Sequence, residues 1–127
     1  MSPGRFLAAA SGTLVARVRT VKPGPTPLVV LDINPAQCLR LSRSGAYHPI
    51  STLRADGRRM LVQLLTGSTQ DGPAMRRLLP ELRPGDPVLI GMLGTDGRSL
   101  ASGYGGAELC PEYLIRPNGG IEPITAY

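Results

Sequence analysis

The sequence holds one histidine, one lysine, two cysteines and five aromatic side chains, and each scarcity excludes something. Cys38 and Cys110 stand far apart, with no second cysteine or histidine at metal-ligand spacing, so no metal is expected and both read as buried, structural thiols. No apolar run approaches the roughly 20 residues of a membrane-spanning helix. Met1 to Ala10 has one arginine and a short apolar patch but no long apolar stretch ending in a cleavage site, so a soluble, cytoplasmic protein without a membrane partner is expected. The net charge of +5 comes from arginines scattered along the chain rather than clustered. With so few aromatics for base stacking, they read as a solvated surface and not as a nucleic-acid interface. No Ser/His/Asp set, phosphate-binding glycine loop or metal cluster can be assembled.

What is abundant is punctuation. Sixteen glycines and thirteen prolines in 127 residues are too many for a helical bundle and suit antiparallel strands with many turns. The length fits one domain, 1–127, and the class is mainly β. Leu14 to Val21 alternates, with Leu14, Ala16, Val18 and Thr20 on one face and Val15, Arg17, Arg19 and Val21 on the other. A Pro/Gly-rich turn from Lys22 to Pro27 leads into the apolar run Leu28 to Leu31, which makes a hairpin. Ile50 to Leu53 and Met60 to Thr66 flank Asp56-Gly57 and read as a second hairpin. Pro84-Gly85-Asp86 is a turn before Val88 to Leu93, and Asn118-Gly119-Gly120 separates Tyr113 to Arg116 from Ile121 to Tyr127. About seven strands are expected, with helix only at Phe6 to Ala10 and Ala74 to Leu79, and closure into a barrel would remove the unpaired edges.

Several segments are specific in combination. Ser2-Pro3-Gly4-Arg5-Phe6-Leu7 and the strand from Gly12 are followed in order by Leu31-Asp32 through Arg40 to Gly45-Ala46-Tyr47-His48, by Leu79 to Asp86, and by Ser102-Gly103-Tyr104-Gly105 leading to Glu112 to Ile115. Over nearly the whole chain this order resembles the fold-type III pyridoxal-phosphate decarboxylases acting on diaminopimelate and ornithine. The resemblance implies their C-terminal domain, a small Greek-key-like β-barrel of the alanine racemase/decarboxylase kind with one or two short helices. In that family a preceding β/α barrel carries the lysine that forms the Schiff base. The present sequence opens at the domain junction, and Lys22, in its Pro/Gly-rich turn, is not placed to take that role.

Carried over residue by residue, the resemblance implies that Arg5 approaches the cofactor phosphate, for which a planar, permanently charged group is suited, and that Tyr104 lines the cofactor pocket. Arg40 matches the arginine that holds the substrate carboxylate, and Asp71 the acid that reads the substrate's distal amino group. Several positions depart from the pattern. Ser2 replaces the glutamate that faces the pyridine nitrogen, Leu41 and Ser44 replace the proline and tyrosine after the arginine, and the proton-delivering cysteine is missing between Gly67 and Asp71. Asp96 stands where a cofactor-contacting tyrosine is expected, and reads as an Asp-Gly turn. Bland roles compete for each: a surface arginine for Arg5, a turn aspartate for Asp71, a core or rim tyrosine for Tyr104. His48, the one histidine, is the natural acid/base candidate of any independent mechanism, while its place in the resemblance is structural.

Three functions follow from this. The first is the barrel subunit of a split pyridoxal-phosphate-dependent amino-acid decarboxylase, a carbon–carbon lyase active only with a separately encoded β/α-barrel chain that binds the cofactor. The second is a non-catalytic barrel that regulates or binds a related decarboxylase, which the lost positions favour. The third is a small stand-alone biosynthetic enzyme with His48, Tyr47, Arg40 and Asp96 as its first residues to test. A face shaped for another domain leaves apolar surface exposed, so a homo-oligomer or a partner chain is expected.

Overall fold

The computed structural model describes residues 3–38, 40–41, 46–67 and 74–124. The alternating segment near the N-terminus forms β1 (Leu14–Lys22), which pairs antiparallel with β2 (Leu28–Leu31) through the expected hairpin. The pairing runs Val18 to Leu31 and then Thr20 to Val30, so an irregularity falls at Arg19. A bulge reverses the inside–outside alternation beyond it. Ala16 and Val18 are buried, but Thr20 is exposed and Val21 turns toward the core, a correction to the uniform alternation that the residues suggest.

β3 (Ile50–Thr52), β4 (Arg59–Thr66), β5 (Met75–Pro80) and β6 (Pro87–Ile90) complete a six-stranded sheet in the order β3-β6-β1-β2-β4-β5. β3 lies close to β5, so the sheet is nearly closed into a barrel. A shallow cavity of about 280 Å³, lined by Ile50, Thr52, Arg59 and Leu79 among others, marks the seam between those strands. β2 and β4 run parallel, and the remaining pairs are antiparallel. Two expectations fail here. Asp56-Gly57 does form a bend, with Gly57 at φ +105°, but β3 and β4 are no hairpin: β3 pairs with β6 and β4 with β2 and β5. Ala74 to Leu79 is not helical, because six residues are too few to nucleate a helix in isolation, whereas β5 finds six consecutive partners on β4.

Val29, Leu31, Val62, Leu64, Val88 and Ile90 are almost wholly inaccessible and, with Ala16, Val18, Ile33, Leu41, Leu79, Leu82 and Leu93, fill the barrel. Full burial of such side chains contributes about 1.5–3 kcal/mol each. The turns behave as their glycines demand, with Gly85 at φ +92° before β6 and Gly119 at +84° in the hairpin between β7 (Glu112–Ile115) and β8 (Ile121–Ile124). This hairpin forms a separate two-stranded sheet, tied back through Arg98, whose guanidinium donates to Cys110 O at 2.7 Å and faces Glu112 at 3.5 Å. The N-terminal expectation holds in outline as a helix α1 (Gly4–Ala8) running into a 3-10 turn at Ala9–Ser11. No helix among the described residues is long and apolar enough to cross a membrane.

Candidate functional site

A five-residue helix has no stability of its own, and α1 is held by the loop that follows β6. Gly94 N donates to Ala9 O at 3.0 Å, Leu93 N to Gly12 O at 3.0 Å, and the Thr95 hydroxyl to Gly4 O at 2.9 Å. Thr95 and Gly4 thereby bring their chain neighbours, Asp96 and Arg5, to the same end of the barrel. Arg5 extends toward the segment before β3, its Nη2 donating a long bond of 3.5 Å to Tyr47 O. Arg77 reaches the same segment from β5: its Nη2 donates to His48 O at 3.1 Å, and its guanidinium lies 4.8 Å from the centroid of the Tyr47 ring. Two consecutive carbonyls therefore each receive an arginine. A third, Arg40, follows the 3-10 turn Pro35–Cys38 and forms an ion pair with Asp96, Nη1 to Oδ2, at 3.3 Å.

His48 is enclosed beneath these groups, with 2% of its surface exposed. Its Nδ1 lies 3.0 Å from Gly91 O. A carbonyl can only accept, so Nδ1 carries the hydrogen and Nε2 the lone pair, and Nε2 has no hydrogen-bond partner among the described residues. Burial pushes the imidazole pKa below its ordinary value of 6.5; the bond to Gly91 opposes this, and Arg5, Arg40 and Arg77 add to it by repulsion. The ring is thus neutral and packed, the structural of the two roles considered for it. Its depressed folded-state pKa means that the unfolded chain binds the extra proton first as pH falls. The stability it contributes is complete above pH 6.5 and is lost as pH drops from there toward the folded value. The urea midpoint is expected to fall between about pH 7.5 and about pH 5.5, and His48→Asn, which keeps a donor for Gly91 but cannot titrate, to flatten that part of the profile. An equal slope in the variant would assign the pH dependence to other groups.

The structure therefore brings Arg5, Arg40 and His48 together and adds Arg77 and Asp96. Tyr104, in a 3-10 turn at Tyr104–Gly106, is 85% exposed and so a rim residue. Ser102 N donates to Ala36 O at 2.9 Å, which sets the chain leading to Tyr104 beside the turn that leads to Arg40. Asp71, Ser2 and Ser44 lie outside the described residues. Lys22 is the last residue of β1 rather than part of the turn, and it is exposed. Exposed to water at a strand end, it does not fit the part of a Schiff-base lysine, which works from an enclosed site. Cys38 is buried as expected but Cys110 is only half-buried; burial raises both thiols above their ordinary range. No group of three or more potential metal ligands occurs among the described residues.

Sequence reasoning missed Arg77, because its segment was expected to be helical, and it placed Asp96 in a turn without its partner. Asp96 does sit in a turn, at φ +60°, a backbone region that aspartate and asparagine enter more readily than most residues. Nothing local to either residue signals an ion pair spanning 56 positions.

No protein-family model matches the chain. Among curated proteins it is 34% identical over 131 residues to the diaminopimelate decarboxylase of Escherichia coli K12, covering 91% of this chain and 31% of that enzyme. It is 30% identical to the diaminopimelate decarboxylase of Streptomyces coelicolor, covering 91% of this chain and 30% of the relative. Among solved structures, a diaminopimelate decarboxylase superposes with a TM-score of 0.83 at 29% identity, over 94% of this chain and 32% of the other. The Helicobacter pylori diaminopimelate decarboxylase complexed with L-lysine gives 0.82 at 26% identity, over 94% and 30%. The chain spans about a third of the length of the relatives it matches. Fold and sequence likeness together define a decarboxylase-type β-barrel domain, mainly β and nearly closed. The chain corresponds in sequence and fold to the C-terminal β-barrel of the diaminopimelate decarboxylases.

Proposed function

We propose that this domain supplies the substrate-side and phosphate-side groups of a pyridoxal-phosphate-dependent amino-acid decarboxylase whose cofactor is held by a β/α barrel on a separate chain. The observation that carries this is the match of 91% of the chain to 31% of a diaminopimelate decarboxylase, together with a rim that holds Arg5 and Arg40 beside the loop after β6. Phe6 and Leu7, 92% and 75% exposed beside Arg5, give that rim apolar surface of the kind a docking chain buries. Among the described residues Arg5 makes a long bond to a carbonyl, and its guanidinium is well suited to an anionic phosphate. The cofactor's pyridine ring, when bound, takes up the electrons left behind as the carboxylate departs. The residues of this chain do not hold that ring; their part is to bind the substrate carboxylate through Arg40, to meet the phosphate edge through Arg5, and to exclude water with Tyr104.

A second reading, a non-catalytic barrel that docks on a related decarboxylase, is favoured by one observation: Arg40 already faces Asp96. One experiment separates the two. The protein is co-purified with a β/α-barrel decarboxylase chain, titrated with pyridoxal phosphate and assayed for carbon dioxide release from diaminopimelate and ornithine. The split enzyme is expected to absorb in the visible and to turn over only when both chains are present. A stable complex in which this chain leaves turnover absent would establish the docking role, and absence of any complex would overturn both.

A further inference from the structure

Arg40 and Asp96 stand 56 positions apart in the sequence, and tertiary contacts alone unite them at 3.3 Å. The guanidinium is largely enclosed, its side chain 16% exposed, while the carboxylate is 46% exposed. Asp96 is fixed rather than freely rotating into place. Its backbone sits at φ +60°, its carbonyl accepts from Leu100 N at 3.2 Å, and the preceding Thr95 is bonded to Gly4 of α1. Two further arginines lie at this end of the barrel, Arg5 donating to the carbonyl of 47 and Arg77 to that of 48. Asp96 is thus the carboxylate that this cationic end of the barrel already holds.

We infer that Asp96 is an internal ligand of Arg40 that determines which anions gain access to it: its carboxylate stands in for the carboxylate of a bound molecule, and ligand binding is an exchange of one for the other. The inference rests on the assignment of Arg40 to the substrate side under the proposed function. Exchange leaves Asp96 needing a new partner. A simple carboxylate offers none, whereas an amino acid brings an ammonium group with its carboxylate, so the pair penalises plain anions and admits zwitterionic ones. Asp96→Asn keeps a residue that tolerates the left-handed backbone and removes the charge, and Asp96→Gly does the same without any side chain.

The test is a titration of the full-length protein with glutarate, a plain dicarboxylate, followed by the amide and guanidinium NMR signals of Arg40 and its neighbours at constant ionic strength. Either Asp96 variant is expected to bind glutarate about fivefold more tightly than the parent protein, the gain produced by removing a half-exposed carboxylate that competes for the guanidinium. Adding Arg40→Ala to the Asp96 variant should abolish the gain. Equal glutarate affinity in parent and variants, or a gain that persists without Arg40, would overturn the inference. Because this titration needs neither cofactor nor partner chain, failure of the two-chain decarboxylase assay leaves its result intact, and the two ideas fail separately.

Discussion

Gly94→Ala is expected to lower the unfolding free energy by about 3 kcal/mol, the upper range for forcing atoms into a filled space. A Cβ at position 94 would lie 1.9 Å from Ala8 O, 2.4 Å from Ser11 Oγ and 2.9 Å from Gly12 N. Two of these three atoms belong to backbone, so no flexible side chain can simply swing aside. The opposing Gly12 is equally confined, since a Cβ there would meet Gly94 N at 2.4 Å and Gly94 Cα at 2.6 Å. Two stretches of main chain thus cross in direct contact, with the bonds from Leu93 and Gly94 to Gly12 and Ala9 on either side. Relief of the clash must separate the loop after β6 from α1. The damage would reach the site, because Thr95 and Asp96 follow immediately and position the anchor to Gly4 and the carboxylate facing Arg40. Urea denaturation reads the effect as a lower midpoint at unchanged slope. Gly24→Ala, where an added Cβ meets nothing within 4 Å, serves as the control and should stay within about 0.5 kcal/mol of the parent. A Gly94→Ala protein as stable as that control would show that the crossing can open at little cost.

The second large effect is functional. In the reconstituted two-chain decarboxylase, Arg40→Ala should reduce kcat/KM by about 100-fold or more, as truncating one member of an enclosed charge pair costs 2–5 kcal/mol. The planar guanidinium offers two parallel donors to a carboxylate, and its enclosure lowers the competition from water. Complex formation between the chains should be unchanged, because the apolar residues of the rim, Phe6 and Leu7, are untouched. Steady-state kinetics and co-purification measured side by side separate these outcomes. Unchanged turnover would remove Arg40 from the substrate site, and loss of the complex would move it to the interface. Arg40→Lys distinguishes charge from shape, since an ammonium keeps the charge without the paired donors.

Asp96 gives the departures from the family pattern a physical meaning. At the sequence level it reads as a lost tyrosine and a turn, which counts only against conventional chemistry. In the fold the same residue neutralises the one arginine assigned to the substrate, so the loss of one group and the occupation of another are a single change. His48 moved the other way. Its rarity made it conspicuous, and its burial beneath three arginines makes it a neutral packing group.

The sequence by itself determined the turns, most of the strands and the likeness to the decarboxylase barrel. Glycines at 57, 85 and 119 do take positive φ, the hairpins β1–β2 and β7–β8 close where their loops suggest, and the ordered motifs identify the barrel. These features are local, set by backbone sterics and by side-chain alternation over a few residues. Tertiary structure decided which strands became neighbours, that Ala74 to Leu79 extends rather than coils, where β1 bulges, and which arginine meets which acid. A strand's partner is chosen by hydrogen bonds and buried surface contributed from elsewhere in the chain, and when six pairings on β4 compete with one unsupported helical turn, the pairings win. The Arg40–Asp96 pair follows from the same cause: it exists only because the barrel closes and the two glycines at 12 and 94 let the main chain cross.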